Sequence, residues 1–225
     1  MRADHVSSQL ESFLDRALEA RAALIGSGVT DAYRVFHGQS DGIDGLVMEQ
    51  FGPALIVQVH EGRLAISLDE VRTLTELVIQ RLGMEAAYLK KFVRDRAGVS
   101  DEEQSQYRDA MPWIGTTLEP ELTIVEHGVK FLIHPYDGFS VGLFLEQRDN
   151  RRRVRELAAG RRVLNTFAYT CGFSAAAAMG GAASVASVDL SKRYLEWGKR
   201  NFEVNGIDPS LHRFSCSGIF ELFKR

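Results

Sequence analysis

The sequence has only two cysteines, Cys171 and Cys216, and its six histidines show no spacing typical of metal ligands. Two thiols cannot form a disulfide framework or a zinc cluster, so we expect neither, and we predict no bound metal. No apolar run approaches the roughly 20 residues that cross a bilayer, and the first residues, MRADHVSSQLESF, do not read as a signal peptide. These absences predict a cytosolic protein with no membrane partner.

The sequence also lacks an excess of charge of either sign. Its 27 basic and 30 acidic residues give a formal net charge of −3, so the whole molecule does not have the charge typical of a nucleic-acid-binding protein. With 225 residues, of which 45% are hydrophobic, the chain can bury the cores of one or two small domains.

The most informative stretch is residues 163–206, VLNTFAYTCGFSAAAAMGGAASVASVDLSKRYLEWGKRNFEVNG. It predicts a strand, a tight turn, an alanine-rich helix, a second strand over Val185–Val188 and an amphipathic helix, which together form a βαβα unit. Gly172 is expected to adopt backbone angles that other residues avoid. Asp189 ends the second strand, where a carboxylate can accept both hydroxyl groups of a ribose. The stretch therefore predicts a site for an adenosine-containing cofactor.

Two cofactors compete for this predicted site. A dinucleotide requires G-x-G-x-x-G after the first strand, because its pyrophosphate must approach bare backbone. Residues 167–172, FAYTCG, contain one glycine, and a bulkier polar turn suits the amino-acid tail of S-adenosylmethionine. Asn165 and Thr170 fit that tail. The sequence favours the methyl donor over a dinucleotide, and a Rossmann-like unit without a ligand is the remaining alternative.

The rest of the chain predicts a small α+β domain and a polar loop. A helix is expected over residues 8–25 and another over 67–82, where Ser67 and Glu70 have the spacing of a capping box. Strands are expected at the ranges 32–36, 45–51, 54–59 and 86–92, a loop at 95–112 and a hairpin at 122–135. We predict an N-terminal helix in residues 1–30, an α+β domain in residues 31–138 as a candidate for RNA binding, and a cofactor domain in residues 139–225.

Seven arginines lie between residues 147 and 162. Helical spacing places several of them on shared faces, and guanidinium groups bind phosphate bidentately. Arg151, Arg152 and Arg155 are therefore candidate contacts with an RNA backbone. The alternative is a solvated helix face whose arginines pair with Glu146, Asp149 and Glu156.

Residues 122–214 resemble the ribosomal RNA large-subunit methyltransferases of the I and K/L type, which depend on S-adenosylmethionine. The resemblance rests on the segments 125–131 (VEHGVKF), 142–148 (GLFLEQR), 165–170 (NTFAYT) and 188–192 (VDLSK), with Trp197, Asn201 and Asn205-Gly206. Residues 31–100 resemble the middle domain of the family more loosely. The resemblance implies an α/β fold, in which a partial Rossmann-like sheet of the class I methyltransferase type follows a small α+β domain.

The resemblance also implies roles for the residues of the site. Asp189 would bind the ribose, and Asn165, Thr170 and Gly172 would surround the methionine end of the cofactor. Tyr169 would line the pocket or pack on the adenine, and Ser191 would cap the next helix and face the ribose. Gln147 and Arg148, which fall in a segment that lies against the cofactor in the family, would close the site. No residue is predicted to be the catalytic group.

The sequence departs from the family pattern in two places. Gly218 stands where the family has an aspartate that contacts the adenine amino group, which predicts weaker cofactor binding. The sequence also ends before the Asp-Pro-Pro motif that holds the target base, so we expect a fragment or a shortened form that does not turn over. A strand over residues 162–167 would then have an open edge, and we expect self-association through it.

These observations give two function hypotheses of different classes. The first is a methyltransferase that uses S-adenosyl-L-methionine to modify a base of large-subunit (23S-type) ribosomal RNA. The second is a non-catalytic RNA-binding or interaction module derived from the same family, which would bind RNA without the cofactor. An oxidoreductase that uses a dinucleotide is a distant third, because the glycines it needs are absent.

Overall fold

The computed structural model describes residues 2–92, 109–138 and 140–222, and side chains are described from residue 7 to residue 221 within these ranges. The chain forms two compact units, residues 1–122 with 134–141 and residues 123–133 with 142–225. The sequence-based boundary fell after residue 138, whereas most of the hairpin before it belongs to the second unit. The acidic run at 101–103, in the predicted loop, lies outside the described residues.

The first unit is a five-stranded sheet with helices on one face. Its elements are α1 (Arg2–Glu19), α2 (Ala22–Ser27), β1 (Ala32–His37), β2 (Leu46–Phe51), β3 (Ala54–His60), α3 (Leu68–Leu82), β4 (Ala86–Phe92) and β5 (Ile114–Gly115). The strand order is β1-β2-β3-β4-β5, with only β3 and β4 parallel, because α3 forms the crossover between them. Alternate strand residues such as Met48, Leu55 and Val57 join Leu14 and Leu74 of the helices in one core.

Local signals explain where the helices of the first unit begin and end. The capping box is confirmed, since Ser67 accepts from the backbone of Glu70 and Glu70 accepts from the backbone of Ser67. The single helix predicted over residues 8–25 was wrong, because the chain forms two helices that meet near Arg21. The Arg21 guanidinium donates to the carbonyl of Arg34 at 2.6 Å and to Asp41 at 2.6 Å, which ties this break to the end of β1.

The second unit is a three-stranded parallel sheet and a hairpin. Its elements are β6 (Leu122–Glu126), β7 (Val129–Ile133), α4 (Arg148–Leu157), β8 (Arg162–Thr166), α5 (Gly172–Met179), β9 (Ser184–Asp189), α6 (Lys192–Glu203), β10 (Arg213–Cys216) and α7 (Ile219–Leu222). The parallel sheet has the order β10-β9-β8, and β6 pairs with β7. The predicted α/β class and the βαβα order are confirmed, and β8 is one of the two edge strands of this sheet among the described residues.

Small residues bring the helices of the second unit close to their neighbours. A Cβ on Gly180 would lie 2.1 Å from the carbonyl oxygen of Arg155, so α5 can approach α4 only with glycine there. A Cβ on Gly198 would lie 2.3 Å from the sulfur of Cys171, so α6 contacts the turn before α5 directly. Among the described residues no helix is long and apolar enough to cross a membrane.

Candidate functional site

The carboxyl ends of β8, β9 and β10 lie at one edge of the parallel sheet, which is where open α/β sheets bind ligands. Asp189 is the last residue of β9 and is half-buried. One of its oxygens accepts the backbone N–H of Tyr169 at 2.8 Å, and the other accepts the backbone N–H of Ser191 at 2.9 Å. Each carboxylate oxygen keeps a further lone pair, so the group can still accept hydrogen bonds from a ribose diol.

The turn between β8 and α5 is unusual in its backbone. Phe167, Tyr169 and Cys171 all have positive φ values, of 59°, 50° and 60°, although none is glycine. Gly172 does not have a positive φ, so the expectation that it supplies the special backbone angles was wrong. Each such residue costs of order 1 kcal/mol or more, and clusters of them occur at binding sites. The backbone of Ala168 donates to the carbonyl of Val188 at 2.9 Å and so fixes the turn beside Asp189.

Gly172 instead lies at a close approach to a neighbouring side chain. A Cβ at this position would lie 3.1 Å from Cδ1 of Leu143. The segment around Leu143 therefore packs tightly on the first turn of α5.

Three aromatic rings surround this turn. The ring of Tyr169 lies 5.2 Å from that of Phe144 and 4.6 Å from that of Tyr194, in tilted and edge-on geometry. Phe144 is 49% exposed, so the cluster presents an aromatic surface to solvent. Such rings can line a pocket for a flat ligand.

Thr170 is a buried residue of the turn between β8 and α5. It is 1% exposed, and its hydroxyl donates to the carbonyl of Gly142 at 2.5 Å. Its own carbonyl accepts from Asn201 at 2.8 Å. A hydroxyl that is both buried and bonded cannot reach a ligand, so Thr170 is a positioning residue rather than the direct contact expected from the sequence.

Asn165 and Ser191 lie near the carboxyl ends of β8 and β9. The Asn165 amide donates to the hydroxyl of Ser174 at 2.9 Å, and Ser187 donates to the same oxygen at 2.7 Å. Ser191 caps α6 by accepting the backbone N–H of Tyr194 at 3.3 Å. Both residues are partly exposed at the carboxyl edge of the sheet.

Gln147 and Arg148 lie where α4 begins. The Gln147 side chain accepts from Asn150 at 2.9 Å. The Nε atom of Arg148 is buried and has no hydrogen-bond partner among the described residues. A buried donor without a partner is costly, which makes Arg148 an unusual side chain at the start of α4.

The arginines of α4 separate into buried and exposed groups. Arg151 is 3% exposed and donates to both oxygens of Glu126 at 2.7 Å, and to the carbonyl of Phe144 at 2.8 Å. This placement corrects its assignment as an RNA contact, because its donors are used inside the fold. Arg155 donates to the carbonyl of His127 at 2.5 Å and is half-buried, whereas the Arg152 side chain is 53% exposed.

Sequence reasoning missed apolar side chains at the edge of the sheet. Leu190 is 76% exposed directly after Asp189, and Phe220 is 81% exposed after β10. Large apolar residues left in solvent at a ligand-binding edge favour the packing of an apolar or aromatic group. For Leu190 the signal was present in the sequence, because this residue follows the end of a predicted strand.

Gly218 also lies at this edge, and a second missed residue stands beside it. A Cβ built on Gly218 would lie 3.8 Å from the carboxyl carbon of Glu221 and 3.9 Å from its Oε2. The carboxylate of Glu221 therefore lies within van der Waals contact of a Cβ at position 218.

The thiols of the second unit do not form a reactive centre. Burial raises the pKa of the Cys171 thiol to about 12, so it remains protonated at neutral pH. Among the residues that the structure describes, no group of three His, Cys, Asp or Glu side chains is arranged to hold a metal ion.

Comparison with known proteins identifies relatives across nearly the whole chain. The chain is 35% identical over 198 residues to "Ribosomal RNA large subunit methyltransferase I" of Erwinia tasmaniensis, covering 87% of this chain and 47% of the relative. It is 36% identical over 214 residues to a "Ribosomal RNA large subunit methyltransferase" of Deinococcus radiodurans, covering 92% and 50%. The chain thus spans about half the length of the curated relatives that it matches.

Solved structures share the fold. A methyltransferase complexed with SAH superposes with a TM-score of 0.82 at 27% identity, over 97% of this chain and 53% of the other. A S-adenosylmethionine-dependent methyltransferase of Streptococcus mutans gives 0.82 at 26% identity, over 97% and 54%. The sequence model of one family, described as "S-adenosylmethionine-dependent methyltransferase", matches residues 42–225. The resemblance predicted from the sequence is confirmed: the chain belongs to the S-adenosylmethionine-dependent methyltransferase family.

Proposed function

We propose that this chain binds S-adenosylmethionine at the carboxyl edge of its parallel sheet, as part of a methyltransferase that acts on a base of large-subunit ribosomal RNA. The observation that carries the proposal is the half-buried carboxylate of Asp189, which two backbone amides hold at the end of β9. The ribosomal RNA named in the relatives supports the choice of substrate.

The residues at this edge fit the parts of the cofactor. Asp189 would accept the two ribose hydroxyls, with Ser191 beside it. Tyr169, Asn165 and Gly172 would surround the methionine end, and Leu190 would pack on the base. When bound, S-adenosylmethionine supplies an electrophilic methyl group on a sulfonium, and the chain contributes binding, orientation and exclusion of water.

Glu221 replaces the carboxylate that is absent at position 218. Its carboxyl group lies next to Gly218, in the segment that follows β10, and β10 pairs with β9, which ends at Asp189. A carboxylate there can accept a hydrogen bond from the amino group of adenine. With glycine at position 218, the hydrogen-bond acceptor for the adenine amino group would come from Glu221, three residues later, and would not be lost.

Arg148 and Gln147 would close the site around an anionic group. The unpartnered Nε of Arg148 gains an acceptor if the carboxylate of the cofactor's amino-acid portion binds beside it. This contact would give the Nε–H of Arg148 the acceptor that the described residues do not provide.

An RNA-binding role without methyl transfer is the second candidate, and the exposed arginines favour it. Arg152, Arg153, Arg161 and Arg162 are all exposed in one short stretch of chain. Arg152 is the candidate phosphate contact. Arg155 can also contribute, through the N–H groups that do not donate to the carbonyl of His127. This candidate predicts RNA binding that weakens steeply with salt and does not depend on the cofactor.

Self-association through β8 is a further part of the proposal. β8 is an edge strand of the parallel sheet among the described residues, and Leu164 is 47% exposed on it. Phe167, which follows β8, is 78% exposed. An apolar strand with an open edge can pair with a second copy of the chain.

Calorimetric titration of the chain with SAH tests the function directly. We expect saturable binding, and Asp189→Asn should weaken it by about a hundredfold, because charge-assisted bonds to the ribose are lost. Ser210→Ala is the control, because it removes a hydroxyl in a loop outside the site. Since Asp189 also holds the turn, circular dichroism should show that the variant is folded. Unchanged affinity in Asp189→Asn would refute the site.

A further inference from the structure

A cleft of about 550 Å³ lies at one end of the five-stranded sheet of the first unit. It is formed where β1 ends, where β2 begins and in the turn after β3, and His37, Gln39, His60 and Arg63 contribute to its lining. Its volume lies within the range of small-ligand sites. Nothing in the proposed cofactor site uses these residues.

The floor of the cleft depends on Gly45. This residue has a φ of 76°, and a Cβ on it would lie 2.5 Å from the backbone nitrogen of Leu64. Its carbonyl accepts the backbone N–H of His60 at 2.8 Å. Because residue 45 is glycine, the start of β2 and the turn after β3 can come into contact. This contact and the Gly45–His60 hydrogen bond hold the backbone that carries the lining side chains.

A partly buried hydrogen-bond network orients His37. Glu49 is 8% exposed and accepts two bonds from Arg34, at 3.0 and 2.8 Å, with a third from Gln58 at 2.9 Å. Arg34 lies 3.0 Å from Nδ1 of His37. Because a guanidinium can only donate, Nδ1 must accept, and the neutral ring carries its proton on Nε2. His37 thus presents an oriented N–H donor in the lining of the cleft.

The other side of the cleft presents a flat ring and a cation. The imidazole of His60 stacks on the ring of Phe92, with 5.0 Å between centroids and 22° between planes. Arg63 is paired with Asp44 at 2.9 Å, but its side chain is 68% exposed. Such exposed pairs contribute little, so the guanidinium can turn to a stronger phosphate partner.

We propose that this cleft binds one nucleotide of single-stranded RNA, with the base against the imidazole of His60 and the phosphate on Arg63. The Nε2–H of His37 would donate to an acceptor on the base or sugar. Flat aromatic or imidazole faces beside an arginine are the usual means of holding an unpaired base. This inference rests on the proposed function, in that RNA is the substrate.

Two matched variants test the cleft. Arg63→Gln and Arg81→Gln each remove an exposed guanidinium that pairs with an aspartate at 2.9 Å, but only Arg63 lines the cleft. With a fluorescent oligouridylate and anisotropy as the readout, Arg63→Gln should weaken binding about tenfold. Arg81→Gln should stay within about twofold of the unmodified chain. Equal losses in both variants, or no RNA binding by the unmodified chain, would overturn the proposal.

Nuclear magnetic resonance of the unmodified chain provides a second measurement. Uridine monophosphate should shift the imidazole signals of His37 and His60 and leave that of His212 unchanged. Equal shifts with inorganic phosphate alone would overturn the nucleotide assignment. Shifts with oligouridylate but not with uridine monophosphate would support a site for a polymer and exclude a free mononucleotide as the ligand.

Titration of Arg63→Gln with SAH separates this inference from the proposed function. The variant should bind SAH as the unmodified chain does. If the unmodified chain binds no SAH but RNA binding depends on Arg63, the cofactor proposal fails and the cleft stands. If the unmodified chain binds SAH and Arg63→Gln leaves the RNA affinity unchanged, the proposed nucleotide site is refuted and the cofactor proposal is not.

Discussion

A central strand of the first unit and an edge strand of the second are buried to very different extents. In the first unit, five of the seven residues of β3 are buried, whereas in the second unit none of the five residues of β8 is buried. The second unit also leaves Leu190 and Phe220 in solvent at the carboxyl edge of its sheet. The first sheet is organised around a continuous apolar core, and the second exposes polar and apolar groups where a ligand can bind.

The same contrast occurs inside a single helix of the second unit. Arg151 faces inward and is bound to Glu126, whereas Arg153, two residues later, is 68% exposed beside Glu156. A burial difference of this kind decides whether an arginine supports the fold or remains available to a partner. Four predictions follow from these contrasts, in decreasing order of expected effect.

The largest effect is expected from Glu126→Ala. It leaves the buried guanidinium of Arg151 without its counter-ion, which should lower the free energy of unfolding by about 3–5 kcal/mol. The matched control is Glu156→Ala, which removes the partner of an exposed arginine and should cost less than about 1 kcal/mol. Chemical denaturation followed by circular dichroism measures both. Similar losses in the two variants would contradict the assignment of Arg151 to the fold.

The second effect is a pH dependence in the first unit. Burial lowers the pKa of Lys90 from its ordinary value of 10.5 to about 8, although Asp137 and Glu49 oppose the shift. The unfolded chain therefore holds this proton more tightly, and the free energy of unfolding should rise between about pH 8 and pH 10.5. The full change is on the order of 3 kcal/mol.

Lys90→Met should remove this rise, and Lys91→Met should keep it. The measurement is the denaturation midpoint across that pH interval. A slope that survives in Lys90→Met would show that another group causes it.

The secondary structure could largely be predicted because its signals are local. The hairpin signal Gly52-Pro53 between two strand-like runs indicated β2 and β3, and the Ser67–Glu70 capping box marked the start of α3. The place of Asp189 followed from the order of its strands. The burial of Arg151 and its ion pair with Glu126 could not be predicted. Glu126 lies 25 residues away, and helical spacing does not show which face is buried.

The roles of Thr170 and Glu221 show the same limit at the candidate site. Thr170 is a polar residue in the right turn, but its hydroxyl is directed to the carbonyl of Gly142, which only tertiary contacts reveal. Glu221 follows Gly218 by one helical turn, so the sequence did contain the spacing. Its proximity to position 218 became apparent only in the folded chain.

The third prediction concerns Glu221 and is smaller. Glu221→Gln should weaken SAH binding about fivefold, because an exposed charged acceptor is lost. The effect should vanish with the 6-oxo analogue of SAH, which lacks the amino group. Adding Gly218→Asp should restore the affinity, and Glu203→Gln serves as the control on α6. A fivefold loss that persists with the 6-oxo analogue would contradict the assigned hydrogen bond.

The fourth prediction concerns the edge strand and requires no variant. Amides of β8 should exchange with solvent faster than those of β3, since local stability follows burial. Hydrogen exchange of the chain at low concentration measures both strands. Equal protection would show that another part of the chain, or a second copy, covers the edge of β8.

Hydrogen exchange with and without SAH tests the central claim most directly. The account predicts that SAH slows the exchange of amides in residues 167–172 and 189–191, where the turn and Asp189 lie. Amides of β2 and β3 in the first unit should be unchanged. Protection confined to the first unit, or absent from the turn at saturating SAH, would contradict the placement of the cofactor at this edge.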